Sequence, residues 1–335
     1  MITELSLENF KAFEKETFAF GRLNVLTGLN SSGKSSVIQA VRLVHEQKPL
    51  DGLGPLQEYV RSDCGGLSVQ CAMHDKSILE FSYAKGEEHP QCGTPLSGIV
   101  SYISADRFGP KNSLPLHIDG YIQTVGARGE NIVDFLSRLD GDWDVLRVPP
   151  VLVAKEGVGI KENIKEWLRT LSPGVDFHYE VYPHTDTGRT EFDKHRPVHV
   201  GFGLSYTLPI IAGVLVHAGQ LAVNRETPIL LLLENPEAHL HPSGQTKMGE
   251  LLSLAASCGI QVIVETHSDH LVNGIRIAVK EGKLSPDDVK FYFFKSDNSG
   301  DSASVETISI DRYGMMDHWP DGFFDETEKN LMRLI

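Results

Sequence analysis

Residues 23–44 read LNVLTGLNSSGKSSVIQAVRLV, and this stretch decides the fold. From Gly28 to Ser35 it spells Gly-Leu-Asn-Ser-Ser-Gly-Lys-Ser, two glycines bracketing four residues and then Lys-Ser, the spacing of a phosphate-binding loop. The flanks agree with the spelling. Leu23–Leu26 reads as a short buried strand, and between Ser36 and Val44 the residues Val37, Ala40, Val41 and Val44 share one helical face. A strand that runs through a glycine-rich turn into a helix N-terminus aims unpaired backbone N–H groups and the helix dipole at one point, which suits an anion. The pattern implies a nucleoside-triphosphate site. Lys34 would reach the β- and γ-phosphates and the Ser35 hydroxyl would ligate Mg²⁺, with Asn30, Ser31, Ser32, Gly33 and Ser36 completing the cradle.

Around this stretch the chain has 335 residues, enough for one large α/β domain or two small ones with a sizeable core. A net charge of −14 argues against a broad basic surface for nucleic acid, though not against a local one. Cys64, Cys71, Cys92 and Cys258 form no CxxC pair, so buried reduced thiols in a reducing compartment are expected. The first residues alternate like a strand at once, without a basic stretch followed by an apolar one. No apolar run is expected to reach the roughly 18 residues of a membrane span. A cytoplasmic protein without membrane contact is the expectation.

Along the chain, MITELSL (Met1–Leu7) has the period of a half-buried strand, with a turn over Asn9–Phe13 and a partner strand at Thr17–Phe20. The cluster PLDGLGP (Pro49–Pro55) ends the phosphate-loop unit. Ser68–Cys71 and Ile78–Tyr83 read as an antiparallel hairpin, Glu87–Gly98 as loop, and Ile99–Ile103 as a further strand. Helices are expected at Glu130–Leu139 and Ile160–Leu171, and a strand at Val175–Tyr182. After Gly201 come a long apolar helix at Leu208–Val223, a strand at Pro228–Leu233, a helix at Thr246–Ala256 and a strand at Gln261–Glu265. That alternation implies a parallel sheet. Val289–Phe294 and Ala303–Ile310 close the core.

Two of these strands end in chemistry. Ile229–Glu234 is an apolar run finishing in a carboxylate, which would hold Mg²⁺ opposite Ser35. Asn235-Pro236-Glu237-Ala238-His239-Leu240-His241-Pro242 follows, and Glu265-Thr266-His267-Ser268 stands at the end of the next strand, one strand–helix–strand unit on. Neighbouring parallel strands present their C-terminal ends to one crevice, where His267 could donate to the γ-phosphate. His239 and His241 have the types of metal ligands, but a segment lining an interface accounts for them as well.

These residues resemble a family, the ABC-type ATPase heads of the SMC, RecF and OLD-like group. The resemblance is carried by ELSLENFKAF, GLNSSGKSS, LLLENPEAHLHP and VETHSDHL. The tail ISIDRYGMMDHWPDGFFDE, with ETHSDHLVNGIR, is similar to stand-alone bacterial ATPases carrying a DUF3696 region. The resemblance implies an α/β P-loop NTPase, an ABC-ATPase head with a mixed sheet, an N-terminal antiparallel β-subdomain and an inserted smaller lobe. Residues 1–108 and 199–335 would form the nucleotide-binding lobe, and 109–198 the inserted, partly helical one. It also implies a signature segment, here Val200-Gly201-Phe202-Gly203-Leu204-Ser205 just before the helix at Leu208. Gly203 and Ser205 would then cap ATP held by a partner head in a head-to-head homodimer. Lys11 and Phe13 stand where related heads touch the nucleotide's sugar or base side, though a solvated lysine and a core phenylalanine fit equally. Arg107 could reach phosphate or the partner head, or be an ordinary surface arginine, and Gln57 is a weak candidate for sensing Mg²⁺.

Asn235 is the departure that matters. Hydrolytic relatives carry there a glutamate that polarises the attacking water. An amide cannot take that proton, and such help contributes about 10²–10⁴-fold. Glu237 could substitute through a shifted water. The expectation is a slow ATPase, with ATP and Mg²⁺ as cofactors, whose ATP-gated dimerisation regulates a separate effector. A nuclease of a bacterial defence or DNA-repair system is the leading candidate, and DNA contact is not indicated by charge. The alternatives are the nucleotide-binding subunit of a transporter and a non-hydrolysing nucleotide-sensing scaffold.

Overall fold

Alternation in ITELSLENF makes Ile2–Phe10 a strand with one buried face, but the period breaks near its start. Ile2 and Leu5 are both buried although three positions apart, because the register against the neighbouring strand slips between Ile2 and Glu4. The computed structural model in which this is seen describes residues 1–117, 122–141, 143–296 and 303–334. Packing divides the chain into two units, residues 1–97 with 286–335, and residues 98–285. The sequence suggested other borders, with 109–198 set apart as a lobe; among the described residues of that range the helix Ile160–Leu171 lies against the helices Phe202–Val223 and Pro242–Ser257 of the second unit.

In the first unit β1 (Ile2–Phe10) pairs antiparallel with β2 (Phe13–Ala19) and with β4 (Gly66–Met73). β5 (Ile78–Ala84) and the short β6 (Gln91–Cys92) extend this sheet, so the hairpin expected at 68–83 is present and the loop after it contributes two residues of strand. Between β2 and β4 stand β3 (Leu23–Gly28) and α1 (Lys34–Glu46), with Val37, Ile38, Ala40, Val41, Leu43 and Val44 of α1 buried. The unit is completed by the C-terminal part of the chain. There a strand at Val289–Ser296 runs parallel to β3 and antiparallel to one at Ala303–Ile308, giving a mixed sheet around the phosphate loop.

In the second unit β7 (Ile99–Ile103), β11 (Ile229–Glu234) and β12 (Gln261–Glu265) are parallel, with β11 in the middle. A smaller antiparallel sheet joins β8 (Leu114–Pro115), β10 (Thr187–Phe192) and β9 (Phe177–Tyr182). Helices α2 (Ile132–Ser137), α3 (Ile160–Leu171), α4 (Phe202–Val223), α5 (Pro242–Ser257) and α6 (Asp269–Lys280) surround them. The strands of the first unit's closing sheet are β13 (Val289–Ser296) and β14 (Ala303–Ile308), followed by α7 (Glu326–Leu334).

Two helices begin earlier than their apolar runs. α5 starts at Pro242, with His241 as N-cap accepting from the Ser243 N–H at 3.4 Å, so His241 serves a helix end. α4 starts at Phe202, six residues before the expected Leu208. A proline belongs by preference in a first turn, which makes Leu208-Pro209 look like a start. Here burial of the helix on nearly all sides carries it through Pro209. Among the described residues α4 is the one helix long and apolar enough to cross a membrane by length and composition, which the sequence reading did not anticipate, and most of it is buried within its unit.

Candidate functional site

The phosphate loop has the backbone its spelling demands. Gly28 sits at φ 135°, and a Cβ there would stand 2.1 Å from the Phe294 carbonyl oxygen, so β13 passes directly beneath the turn. Gly33 is the N-cap of α1 at φ 101°, and a Cβ there would meet the Phe13 ring at 2.8 Å. Phe13 is therefore core. It is buried edge-on against Phe18 and Phe294, and it supports the loop from below instead of touching a sugar or base. No side chain caps α1, and the Ser36 N–H turns back to the Gly33 carbonyl at 3.1 Å. The Lys34 ammonium curls over the turn and donates to the carbonyls of Leu29 at 2.6 Å and Gly28 at 3.2 Å. Ser32 donates to the Leu29 carbonyl at 2.7 Å, while Asn30 and Ser31 lie at the surface, Ser31 at φ 59°. Ser35 is half-buried in the first turn and Ser36 buried beneath it.

Lys11 belongs to the same unit. Its ammonium donates to Gln39 Oε1 of α1 at 2.5 Å and lies 5.0 Å from the centre of the Tyr59 ring, and burial holds its pKa below the ordinary lysine value. Gln39, absent from the sequence reading, is thus what holds Lys11 to α1. Gln57 is exposed in a single 3₁₀ turn, Leu56–Tyr59.

In the second unit β11 and β12 end in register, Glu234 opposite Glu265. β7 and the loop after it grip Glu234, with the Tyr102 hydroxyl of the strand donating to Oε1 at 3.1 Å and the Ala105 N–H of the loop to Oε2 at 3.0 Å. Neither donor was legible beforehand. Asn235 lies at φ 45°, and its N–H donates to the Glu265 carbonyl at 2.8 Å. Its Oδ1 is buried without a partner. Glu237 is 7% exposed. Its Oε1 accepts the His267 N–H at 2.9 Å, its Oε2 is buried and unpaired, and burial raises its pKa above the usual carboxylate value. His267 itself is exposed at the end of β12, one residue before Ser268, whose hydroxyl caps α6 by accepting from the Leu271 N–H at 2.9 Å. The strand ends thus gather Glu234, Asn235, Glu237 and His267, two of them holding buried oxygens that lack a donor.

Arg107 is not a surface group. It is 2% exposed, and its guanidinium donates to the carbonyls of Ser104, Glu234 and Asn235, so it cannot reach an outside phosphate as it stands. Gly203 and Ser205 likewise do not form a turn ahead of a helix, because they lie within the first turn of α4. A Cβ on Gly203 would come within 2.7 Å of the His239 carbonyl oxygen, and Ser205 Oγ is buried without a partner. Pro209, four residues on, has no N–H to offer the Ser205 carbonyl. The His239 ring meets Tyr206 edge-on at 4.8 Å and Phe202 at a tilt, 5.6 Å between ring centres.

Three family models match the sequence: an AAA domain over residues 4–62, an AAA ATPase domain over 163–272, and a protein of unknown function, DUF3696, over 284–334. Among curated proteins none matches. Among solved structures, an SMC head bound to the C-terminal winged-helix domain of ScpA aligns with a TM-score of 0.56 at 12% identity, covering 92% of this chain and 98% of that one. An SMC head with an extended coiled coil, bound to the C-terminal domain of ScpA from Pyrococcus furiosus, gives 0.54 at 11% identity, covering 99% of both. The recombination mediator RecF with ATPrS gives 0.52 at 15% identity, covering 91% and 98%. Identities this low speak to the fold, which is the α/β, mixed-sheet, P-loop architecture of the ABC-type ATPase heads of SMC and RecF proteins.

Proposed function

We propose, for a chain with the ABC-type ATPase fold of the SMC and RecF heads, that it binds ATP with Mg²⁺, hydrolyses it slowly, and pairs head to head while ATP is bound. The observation that carries this reading is the phosphate loop. Two positive-φ glycines, a helix N-terminus that no side chain covers and a lysine parked on the loop's own carbonyls suit a polyphosphate. Lys34 would leave the carbonyls of Gly28 and Leu29 for the β- and γ-phosphates. The donors assigned to the metal are hard oxygens, the Ser35 hydroxyl and the Glu234 carboxylate, which suit Mg²⁺. Each Glu234 oxygen keeps acceptor capacity beyond the bond it takes from Tyr102 or Ala105. Bound there, the ion would neutralise charge on the phosphates.

Glu237 is assigned as the base that takes the proton of the attacking water. Its unpaired Oε2 is an acceptor, and its raised pKa brings it nearer neutrality, where a base is most effective. Asn235 orients that water through Oδ1, and His267 donates to the γ-phosphate. Gly203 and Ser205, in the uncapped first turn of α4, are assigned to the γ-phosphate held by a second copy. ATP-driven pairing would regulate a separate effector, a nuclease in a defence or repair system being the first to test. The SMC heads bound to domains of ScpA support a head that works through another protein.

Lys34→Ala tests the core of this reading. Nucleotide binding, measured by calorimetry, should be lost, and an ATP affinity within a few-fold of the parent chain would sink the assignment. One observation favours a second reading, a nucleotide sensor without turnover: an amide stands at 235, where a carboxylate would assist hydrolysis. Phosphate release with and without DNA separates the two.

A further inference from the structure

We infer that Arg107 is a positioning residue for the Glu234–Glu237 turn, and that Tyr206 is the support through which the first turn of α4 sets the geometry of that turn. The inference rests on the ATPase reading for its consequence in turnover, but its structural content stands apart from it.

The turn needs holding. A residue before proline is pushed toward extended backbone, yet Asn235, followed by Pro236, lies at φ 45°. Such a conformation persists only where its surroundings over-determine it. Three hydrogen bonds do so here. The Asn235 N–H is fixed to the Glu265 carbonyl at 2.8 Å, and its carbonyl accepts from the Ala238 N–H at 3.1 Å and from Arg107 at 2.6 Å. The same guanidinium donates at 2.8 Å to the carbonyls of Glu234 and Ser104. One planar group thus ties both peptide units that aim the Glu234 and Asn235 side chains to the loop whose Ala105 N–H grips the Glu234 carboxylate.

Burying a guanidinium is costly, and beyond its carbonyl partners the cost is offset by the field of the nearby Glu237 and Glu234 carboxylates. Its Nε is unpaired. What lies on its face is the Tyr206 ring, with the guanidinium carbon 4.9 Å from the ring centre. Tyr206 stands in the first two turns of α4, edge-on to His239 and next to Phe202, which is 53% exposed. Gly203 of the same helix presses on the His239 carbonyl. The start of α4 therefore meets the 235–241 segment twice, once directly and once through Arg107. A ligand or partner that shifts this helix end would move the support of the guanidinium, and with it the turn that carries Asn235 and Glu237.

The test compares Tyr206→Ala, Tyr206→Phe and Arg107→Lys with the parent chain by amide hydrogen exchange without nucleotide and by single-turnover ATP hydrolysis. Tyr206→Phe keeps the stacked ring and should match the parent chain in both. Tyr206→Ala should speed exchange across Asn235–His239 by about tenfold or more. It should also slow hydrolysis by a similar factor, with ATP affinity within about twofold. Arg107→Lys loses the planar fork and should show the same pattern. Unchanged exchange in both Tyr206→Ala and Arg107→Lys overturns the inference, as does a loss of ATP affinity in step with hydrolysis. If Arg107→Lys fails to fold, the two Tyr206 variants decide. A parent chain that neither binds nor hydrolyses ATP refutes the ATPase reading alone, and the exchange measurement still decides the role of Arg107.

Discussion

Replacing Glu237 by glutamine changes one atom where the hydrolysis step is expected to turn. The amide keeps Oε1, so it still accepts the His267 N–H now held at 2.9 Å. It replaces Oε2, the buried oxygen without a partner, by an NH₂ group that cannot take a proton. A general base contributes about 10²–10⁴-fold, so turnover should fall at least about 100-fold, or about 2.7 kcal/mol in the barrier. Stability should move by only about 1 kcal/mol, because a buried charge is removed while the main hydrogen bond is kept. A second signature follows from protonation. Burial raises the pKa of Glu237, and a base must be deprotonated to act. The rate of the parent chain should therefore drop as pH falls through a value above the ordinary carboxylate range, and the glutamine variant should lack that limb. Single-turnover phosphate release at saturating ATP and Mg²⁺ measures the chemical step, and calorimetry measures affinity, expected within twofold. Asn235→Glu is the counterpart. It puts a residue that tolerates φ 45° poorly into that position, at a cost of about 1 kcal/mol, and should leave turnover within about threefold. If Glu237→Gln is nearly silent while Asn235→Glu speeds hydrolysis tenfold, the base belongs at 235 and Glu237 is structural.

If two heads share ATP as proposed, Ser205→Arg should abolish an ATP-dependent dimer measured by light scattering, because a long side chain at the first turn of α4 would occupy the place assigned to the shared phosphate; an unchanged mass distribution with ATP would contradict the pairing. Stability should decline as pH falls below about 6.5, because His217 is fully buried against Phe135 with its pKa pushed down to about 4, so the unfolded chain takes up a proton that the folded chain refuses. The loss from this group alone is about 2 kcal/mol by pH 5, and His217→Gln should flatten the slope of denaturation midpoints between pH 6.5 and 5; equal slopes in both chains would refute the assignment.

What the sequence made legible was local, and what it hid was burial. The phosphate loop is read from spelling because its function needs particular backbone angles, and Gly28 and Gly33 are there to supply them. Glu234 and His267 are legible because an apolar strand must end somewhere, and parallel neighbours end side by side. The start of α4 was not, since Pro209 obeys a local preference that tertiary burial overrides. His241 could have been read from its place before Pro242, as a cap and not a ligand. Arg107 is the instructive failure. After a strand ending SYISAD, an arginine looks like a surface cation, and no periodicity tells that the chain will fold carbonyls around it. Yet the sequence held one clue of a different kind. Asn235 precedes a proline, and asparagine is among the few residues that tolerate positive φ, so Asn-Pro after a buried strand signals a backbone that something else must hold. A strained turn implies a holder, and a buried polar group with several convergent donors is the candidate to look for. In that sense Asn235 and Arg107 are one feature, of which only the asparagine is written in the local sequence, and the guanidinium became recognisable once its three carbonyl partners were in place.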